Sequence, residues 1–115
     1  MLRKASERSL TTKENVQKGD GSIIFNEIAS NTELFDKTTM YSVLTFKENC
    51  GIGFHEHHDE EEVILIIEGK AHCVDDNEEY DASVGDVVIC FDGHGHSIEN
   101  KEKEDLKIVA LKIKK

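Results

Sequence analysis

Three histidines and a glutamate in this chain are spaced as a metal site requires. His55 and His57 form a His-x-His pair, an acidic run ending at Glu62 follows, and His96 comes more than thirty residues later. Side chains alternate between the two faces of a β-strand, so a strand would point both histidines of the pair to the same side. Three imidazoles and one carboxylate suit a divalent transition metal, and Zn, Mn, Fe, Ni and Co all accept such donors.

The candidate ligands belong to two motifs that resemble those of the cupin superfamily. The first motif is His-x-His, four residues, Glu, six residues and Gly, and it is formed by His55, His57, Glu62 and Gly69. The second motif is formed by Gly85, Gly93, His96 and Asn100. Together the motifs cover about residues 51–100 in the family's order. The resemblance implies a jelly-roll barrel (a double-stranded β-helix) with a metal held inside it by His55, His57, Glu62 and His96.

The resemblance also selects one carboxylate from the acidic run. Glu60, Glu61 and Glu62 all follow the histidine pair, and a slip of one residue turns a strand side chain to the opposite face. Only Glu62 stands at the family's distance from Gly69, so it is the implied fourth ligand.

The second motif departs from the family pattern at one position that shapes a loop. Phe91 stands where the family has proline, and the chain contains no proline at all. We therefore expect the turn before His96 to depend on Gly93 and Gly95 for its unusual backbone angles.

Other histidines near the motifs are candidates for roles besides metal binding. His94 is separated from His96 by one glycine, and it could act as a general base or hydrogen-bond donor at the pocket mouth. Solvent exposure is the alternative for His94. His58 follows His57 directly, so in an extended strand it points away from the metal.

Composition excludes several classes of protein. A chain of 115 residues forms one domain, and its net charge of −10 predicts no nucleic-acid partner. No apolar run is long enough to predict a membrane span. The odd count of three cysteines indicates reduced thiols and a cytoplasmic protein.

Short segments rich in β-branched and aromatic residues alternate with turn signals, which predicts an all-β sandwich or barrel. We interpret residues 1–21 as a polar N-terminal arm and residues 22–115 as the barrel domain. The predicted strands are 22–28, 40–46, 52–57, 62–67, 71–74, 87–91, 97–99 and 106–113.

The strand that begins at Glu62 is apolar on both faces. If Glu62 faces the barrel interior, then Val63, Leu65 and Ile67 face outward. Either the N-terminal arm or a second subunit must cover them, and the resemblance to cupins favours a homodimer.

The resemblance leaves more than one function open, because the fold alone does not determine chemistry. We expect a metal-dependent enzyme that acts on a small molecule, of the isomerase, decarboxylase or dioxygenase type. A non-catalytic module that binds a small ligand or sugar through its metal is the alternative. An interior lined by residues such as Phe46, Phe54, Ile64 and Ile66 would suit a small, partly apolar ligand.

Overall fold

The computed structural model describes residues 1–115. Ten strands are joined by turns, three of which are single 3-10 turns at Ala5–Glu7, Val16–Lys18 and Thr32–Leu34. The strands are β1 Leu10–Glu14, β2 Ser22–Glu27, β3 Thr38–Phe46, β4 Gly51–Glu56, β5 Glu60–Glu68, β6 Lys70–Asp75, β7 Glu78–Ser83, β8 Val87–Cys90, β9 Gly95–Glu99 and β10 Leu106–Lys114. No helix in the structure is long and apolar enough to cross a membrane.

The strands form two antiparallel sheets, which confirms the predicted all-β jelly roll. One sheet has six strands in the order β1-β2-β3-β10-β5-β8, and the other has four in the order β4-β9-β6-β7. Because β3 and β5 both pair with β10, the last strand of the chain lies at the middle of the larger sheet. The faces that the two sheets turn toward each other enclose the core.

Alternation along β5 separates the core from the outer surface. Glu62, Ile64 and Ile66 are buried, whereas Leu65 is 38% and Ile67 is 41% exposed. This confirms the predicted register of β5. Thirteen buried apolar residues form the core: Ile23, Leu44, Phe46, Ile64, Ile66, Ala71, Cys73, Ala82, Val88, Ile98, Leu106, Ile108 and Ala110.

The predicted N-terminal arm contains an edge strand and a tight turn. β1 pairs with β2 along its whole length, from Leu10 opposite Asn26 to Glu14 opposite Ser22. The following turn lies against β4, where a Cβ atom on Gly53 would come within 2.1 Å of the Gln17 carbonyl oxygen. Only glycine permits two backbones to lie this close. The arm is therefore part of the barrel wall, while the boundary at residue 21 stays a prediction.

The position of β1 decides which outward residues the arm can cover. β1 lies at one edge of the six-stranded sheet, and β8 lies at the other edge beside β5. The arm is therefore too far along the sheet to cover Leu65 and Ile67, and both side chains remain exposed.

Candidate metal centre

Two adjacent strands of the smaller sheet bring the three histidines together. Along β4, Phe54 and Glu56 are exposed, so His55 and the next alternate residue, His57, face the interior. His55 lies directly opposite His96 on β9, and residues opposite each other in a sheet share a face. Phe54, expected among the interior residues, is instead 51% exposed because it alternates with His55.

The fourth member of the cluster comes from the opposite sheet. Glu62 on β5 is only 5% exposed, and its Oε1 lies 3.2 Å from Nε2 of His57 and 2.9 Å from Nε2 of His96. The Nε2 atom of His57 is in turn 3.1 Å from that of His55 and 3.0 Å from that of His96. All four donor atoms lie within 4.8 Å of one another. We call these four residues the donor cluster.

Hydrogen bonds around the donor cluster fix which ring nitrogens face it. Nδ1 of His55 donates to the Gly53 carbonyl oxygen at 2.8 Å, and Nδ1 of His57 donates to Oε1 of Glu60 at 2.9 Å. A neutral imidazole carries one proton, so both Nε2 atoms present lone pairs to each other and to the Glu62 carboxylate. A proton on His57 or a metal ion between these atoms relieves the repulsion, so the donor cluster fits a metal ion that takes the place of the proton.

Contacts within the donor cluster and burial together shift the pKa values of its members. The Glu62 carboxylate raises the pKa of His57, outweighing the effect of burial. Burial would raise the pKa of Glu62, but hydrogen bonds from His57 and His96 outweigh it and lower that pKa to about 2. Burial lowers the pKa of His55. The cluster thus combines an ionised carboxylate with imidazoles, and the position between them attracts positive charge.

The other two glutamates of the acidic run have different positions. Glu61 is exposed on the outer face, whereas Glu60 hydrogen-bonds to His57 and accepts a hydrogen bond from Thr39 Oγ1 at 2.8 Å. Sequence reasoning treated Glu60 as a rival ligand and, with His94 and Tyr41, as a candidate general acid or base. Its role in orienting His57 was missed, although its three-residue distance from His57 was a usable signal.

The loop before His96 is held by backbone hydrogen bonds to His57. The His57 N–H donates to the His94 carbonyl at 3.0 Å, and the Gly93 N–H donates to the His57 carbonyl at 2.7 Å. Gly93 has a φ of 85°, the left-handed conformation that glycine tolerates best. Gly95 does not have the positive φ that was expected, and a Cβ there would lie 2.5 Å from the tip of the exposed Phe54 ring, which would have to move.

The remaining candidate histidines lie outside the donor cluster. His94 is exposed, and its Nδ1 donates to Oδ2 of Asp76 at 2.6 Å. His58 is exposed, and its Nε2 lies 3.2 Å from Oε2 of Glu56. Neither side chain lines the cavity that holds the donor cluster.

Two neighbouring cavities lie near the donor cluster. An inner cavity of about 40 Å³ is lined by His55, Glu62 and His96. A wider cavity of about 650 Å³, which we call the vestibule, lies beside it between β1, β2, β3 and β10. The two cavities share five lining residues: Val16, Gln17, Phe25, Met40 and Lys112. These five side chains therefore lie between the vestibule and the donor cluster.

The cysteines are not part of the site. All three are free thiols. Burial raises the pKa of Cys73 and of Cys90 to about 12 in each case, so both stay protonated and unreactive at neutral pH.

Comparison with known proteins agrees with this geometry. Residues 42–112 match the cupin domain family. An oxalate-binding protein of Thermotoga maritima is 26% identical over 113 residues, covering 98% of this chain and 93% of the relative. A crystal structure described as a predicted oxalate decarboxylase of Thermotoga maritima superposes with a TM-score of 0.95 at 25% identity, over the whole of both chains.

A more distant structure shares only the fold. The cupin domain of Schizosaccharomyces pombe Cnp3 superposes with a TM-score of 0.74 at 13% identity, covering 93% of this chain and 70% of that one.

Proposed function

The chain belongs to the cupin domain family, and from this premise we propose that it binds a divalent transition metal and a small carboxylic acid such as oxalate. The metal would be held by the donor cluster, His55, His57, Glu62 and His96. When bound, the ion would supply a Lewis acid to the oxygen atoms of the ligand.

The spacing of the imidazole nitrogens carries the metal proposal. Nitrogen ligands lie roughly 2.0–2.1 Å from zinc, so two at a right angle are about 3 Å apart, and two at a tetrahedral angle are about 3.4 Å apart. The distances from His57 Nε2 to the Nε2 atoms of His55 and His96 are 3.1 and 3.0 Å. Both distances are close to the separation of two ligands on one ion. An octahedral ion with four protein ligands would leave two positions for a ligand molecule.

The size of the inner cavity favours a small acid over a sugar. One water requires roughly 10–15 Å³ of such space, and the inner cavity offers about 40 Å³. Oxalate, which consists of two directly linked carboxylates, suits this volume, whereas a sugar ring would have to remain in the vestibule. The Thermotoga maritima relative named as oxalate-binding supports the same ligand class.

A metal-dependent enzyme acting on the same acid is the second candidate. The observation that favours it is the Glu60 carboxylate, which lines the vestibule beside the donor cluster. Burial would raise the pKa of Glu60, but hydrogen bonds from His57 and Thr39 outweigh it and lower that pKa. An ionised carboxylate there could accept a proton from a bound molecule. His94, the earlier candidate base, points instead to Asp76.

Elemental analysis and calorimetry test the proposal together. We expect about one transition-metal ion per chain, and oxalate binding that requires the metal. His96→Ala should abolish both, while His94→Ala should retain both. Equal losses in the two variants, or no metal taken up on reconstitution, would overturn the metal proposal. Release of carbon dioxide from oxalate by the loaded protein would establish the enzyme rather than the binding module.

We also propose that the chain forms a homodimer through the outer face of the six-stranded sheet. Val63 lies opposite Ile89 and Leu111, and Leu65 lies opposite Val87 and Val109. With Ile67, these residues form an apolar patch on one face. Burial of such side chains is worth roughly 1.5–3 kcal/mol each, and a two-fold axis would let one patch cover another.

Light scattering after size exclusion measures this assembly directly. We expect about twice the 13.0 kDa chain mass. Leu65→Glu should produce a monomer, because it places charges opposite each other in the apolar interface. Val84→Glu is the control, since Val84 is exposed in a turn outside the patch. A wild-type mass of one chain would contradict the dimer.

A further inference from the structure

The side chain of Lys112 places a positive charge beside the donor cluster. Lys112 on β10 lies directly opposite Glu62 on β5 and opposite Met40 on β3. Residues opposite each other share a face of the sheet, so Lys112 faces the interior like Glu62. It lines both the inner cavity and the vestibule.

Lys112 is half-buried, and its ammonium group forms no ion pair. Five other lysines lie within 4.0 Å of a carboxylate oxygen, namely Lys47, Lys70, Lys101, Lys107 and Lys115. Lys112 has no such partner, although the chain carries a net charge of −10. A partly desolvated charge is costly unless a counter-ion approaches it. Six further lysines are also unpaired, but Lys112 is the one that lines the inner cavity, so its free charge is available to a ligand bound there.

The surrounding charges define the kind of ligand. The inner cavity holds one carboxylate, Glu62, and the vestibule adds Glu27, Glu60 and Lys13. The Lys13 ammonium lies 4.6 Å from the centre of the Phe25 ring. A divalent ion held with Glu62 leaves one net positive charge, and Lys112 adds a second. Within the inner cavity these two positive charges balance two negative charges on a ligand, whereas in the vestibule the carboxylates Glu27 and Glu60 outnumber Lys13.

We propose that Lys112 binds the end of the ligand that points away from the donor cluster, so that the site prefers small dicarboxylates to monocarboxylates. This inference rests on the proposed function, because it assumes that one end of the acid lies at the donor cluster. Lys112 is a specificity-determining residue in this scheme, since it contacts the ligand without contacting the metal.

Charge removal at Lys112 tests the inference with a control on the same strand. Lys112→Met keeps the length of the side chain but removes its charge, and Lys112→Arg keeps the charge. Lys107→Met is the matched control, because Lys107 lies on the outer side of β10 near Glu68. Metal content of every variant is measured first, and we expect it to equal that of the wild type.

Calorimetry of the metal-loaded variants then compares oxalate with formate. We expect Lys112→Met to weaken oxalate binding at least tenfold while formate binding changes less than threefold. Lys112→Arg and Lys107→Met should bind oxalate as the wild type does. Unchanged oxalate affinity in metal-loaded Lys112→Met, or equal losses for both acids, would overturn the inference.

Chemical protection separates failure of this inference from failure of the proposed function. Lysine acetylation is followed by peptide mass spectrometry, with and without oxalate, on metal-loaded and metal-free protein. We expect oxalate to slow acetylation of Lys112 and not that of Lys107. If the wild type takes up no metal, protection of Lys112 in the metal-free protein would support the inference alone. Absence of protection in both forms would overturn it.

Discussion

Histidines lie on both faces of the smaller sheet, and the groups that they form with carboxylates are organised differently. On the inner face, the donor cluster directs three imidazole nitrogens to one point. On the outer face, His72 of β6 donates from Nδ1 to Asp81 at 2.9 Å and pairs through Nε2 with Glu79 at 2.5 Å. We call His72, Asp81 and Glu79 the outer ion-pair group.

One histidine from each group shows how burial and ion pairing shift a pKa in opposite directions. Hydrogen bonds to Asp81 and Glu79 raise the pKa of His72 against a smaller opposing effect of burial. Burial lowers the pKa of His55. His72 thus holds its proton for two separate carboxylates, whereas His55 stays neutral and keeps a lone pair for an ion. Convergence of donor atoms, rather than the presence of histidine and carboxylate, distinguishes a metal site.

The largest expected difference between the two groups is in metal content. His57→Ala removes the central nitrogen of the donor cluster, and we expect less than a tenth of the wild-type metal per chain. His72→Ala should leave metal content unchanged, because no second donor nitrogen lies near His72. Plasma mass spectrometry of the purified proteins measures both. Equal loss of metal from the two variants would contradict the assignment of metal binding to the donor cluster rather than to the outer ion-pair group.

A smaller loss of metal affinity is expected when a residue that hydrogen-bonds to one of the metal-binding histidines is removed. Glu60→Ala leaves His57 without its Nδ1 hydrogen bond, and such supporting contacts are worth about 10–100-fold in metal affinity. Glu79→Ala, which removes a partner of His72, should have no effect. Competition with a chromophoric chelator measures the two affinities. An unchanged affinity in Glu60→Ala would mean that His57 is oriented by its backbone alone.

Lowering the pH should weaken metal binding to the donor cluster, because protons compete with the metal for the histidine nitrogens. The raised pKa of His57 means that protons compete with the metal for this ring at higher pH than they would for an unperturbed imidazole. We expect metal affinity to fall steadily as the pH is lowered through the histidine range near about 6.5. His72→Ala should show the same curve, which chelator competition across this range would test. Tight binding that persists at about pH 4 would contradict three histidine ligands.

The smallest expected effect is on stability at the outer group. The raised pKa of His72 stabilises the fold below the unfolded-state value near 6.5, and this contribution is lost as pH rises through the folded-state pKa. His72→Gln should therefore lower the free energy of unfolding slightly at pH 5.5 and not at pH 8.5. Urea denaturation at both values measures the difference. A loss that is larger at pH 8.5 would contradict the ion-pair interpretation.

Local patterns were sufficient to predict the parts of the fold and cluster that depend on strand alternation. The register of β5 followed from its apolar residues, and the candidate ligands followed from motif spacing. The edge strand β1 was missed because all five of its residues are exposed, so it has no apolar alternation. Phe54 was misplaced because its hydrophobicity suggested the interior while its neighbour His55 occupies that face.

Contacts between distant residues could not be predicted from spacing. Nothing local links Lys112 to Glu62, because their proximity depends on which strand lies between β3 and β5. The pairing of His72 with Asp81 likewise required the register of β6 and β7.

The central place of β10 in the larger sheet has a consequence for the order of folding. β3 and β5 cannot join into one sheet until the strand that separates them has been synthesised, so the barrel closes only after residue 114 leaves the ribosome. Such long-range pairing is expected to slow folding. Loss of β10 would divide the sheet in two, whereas loss of β1 would remove only an edge. Nascent chains that stop before residue 106 should therefore expose unpaired strands and depend most on chaperones.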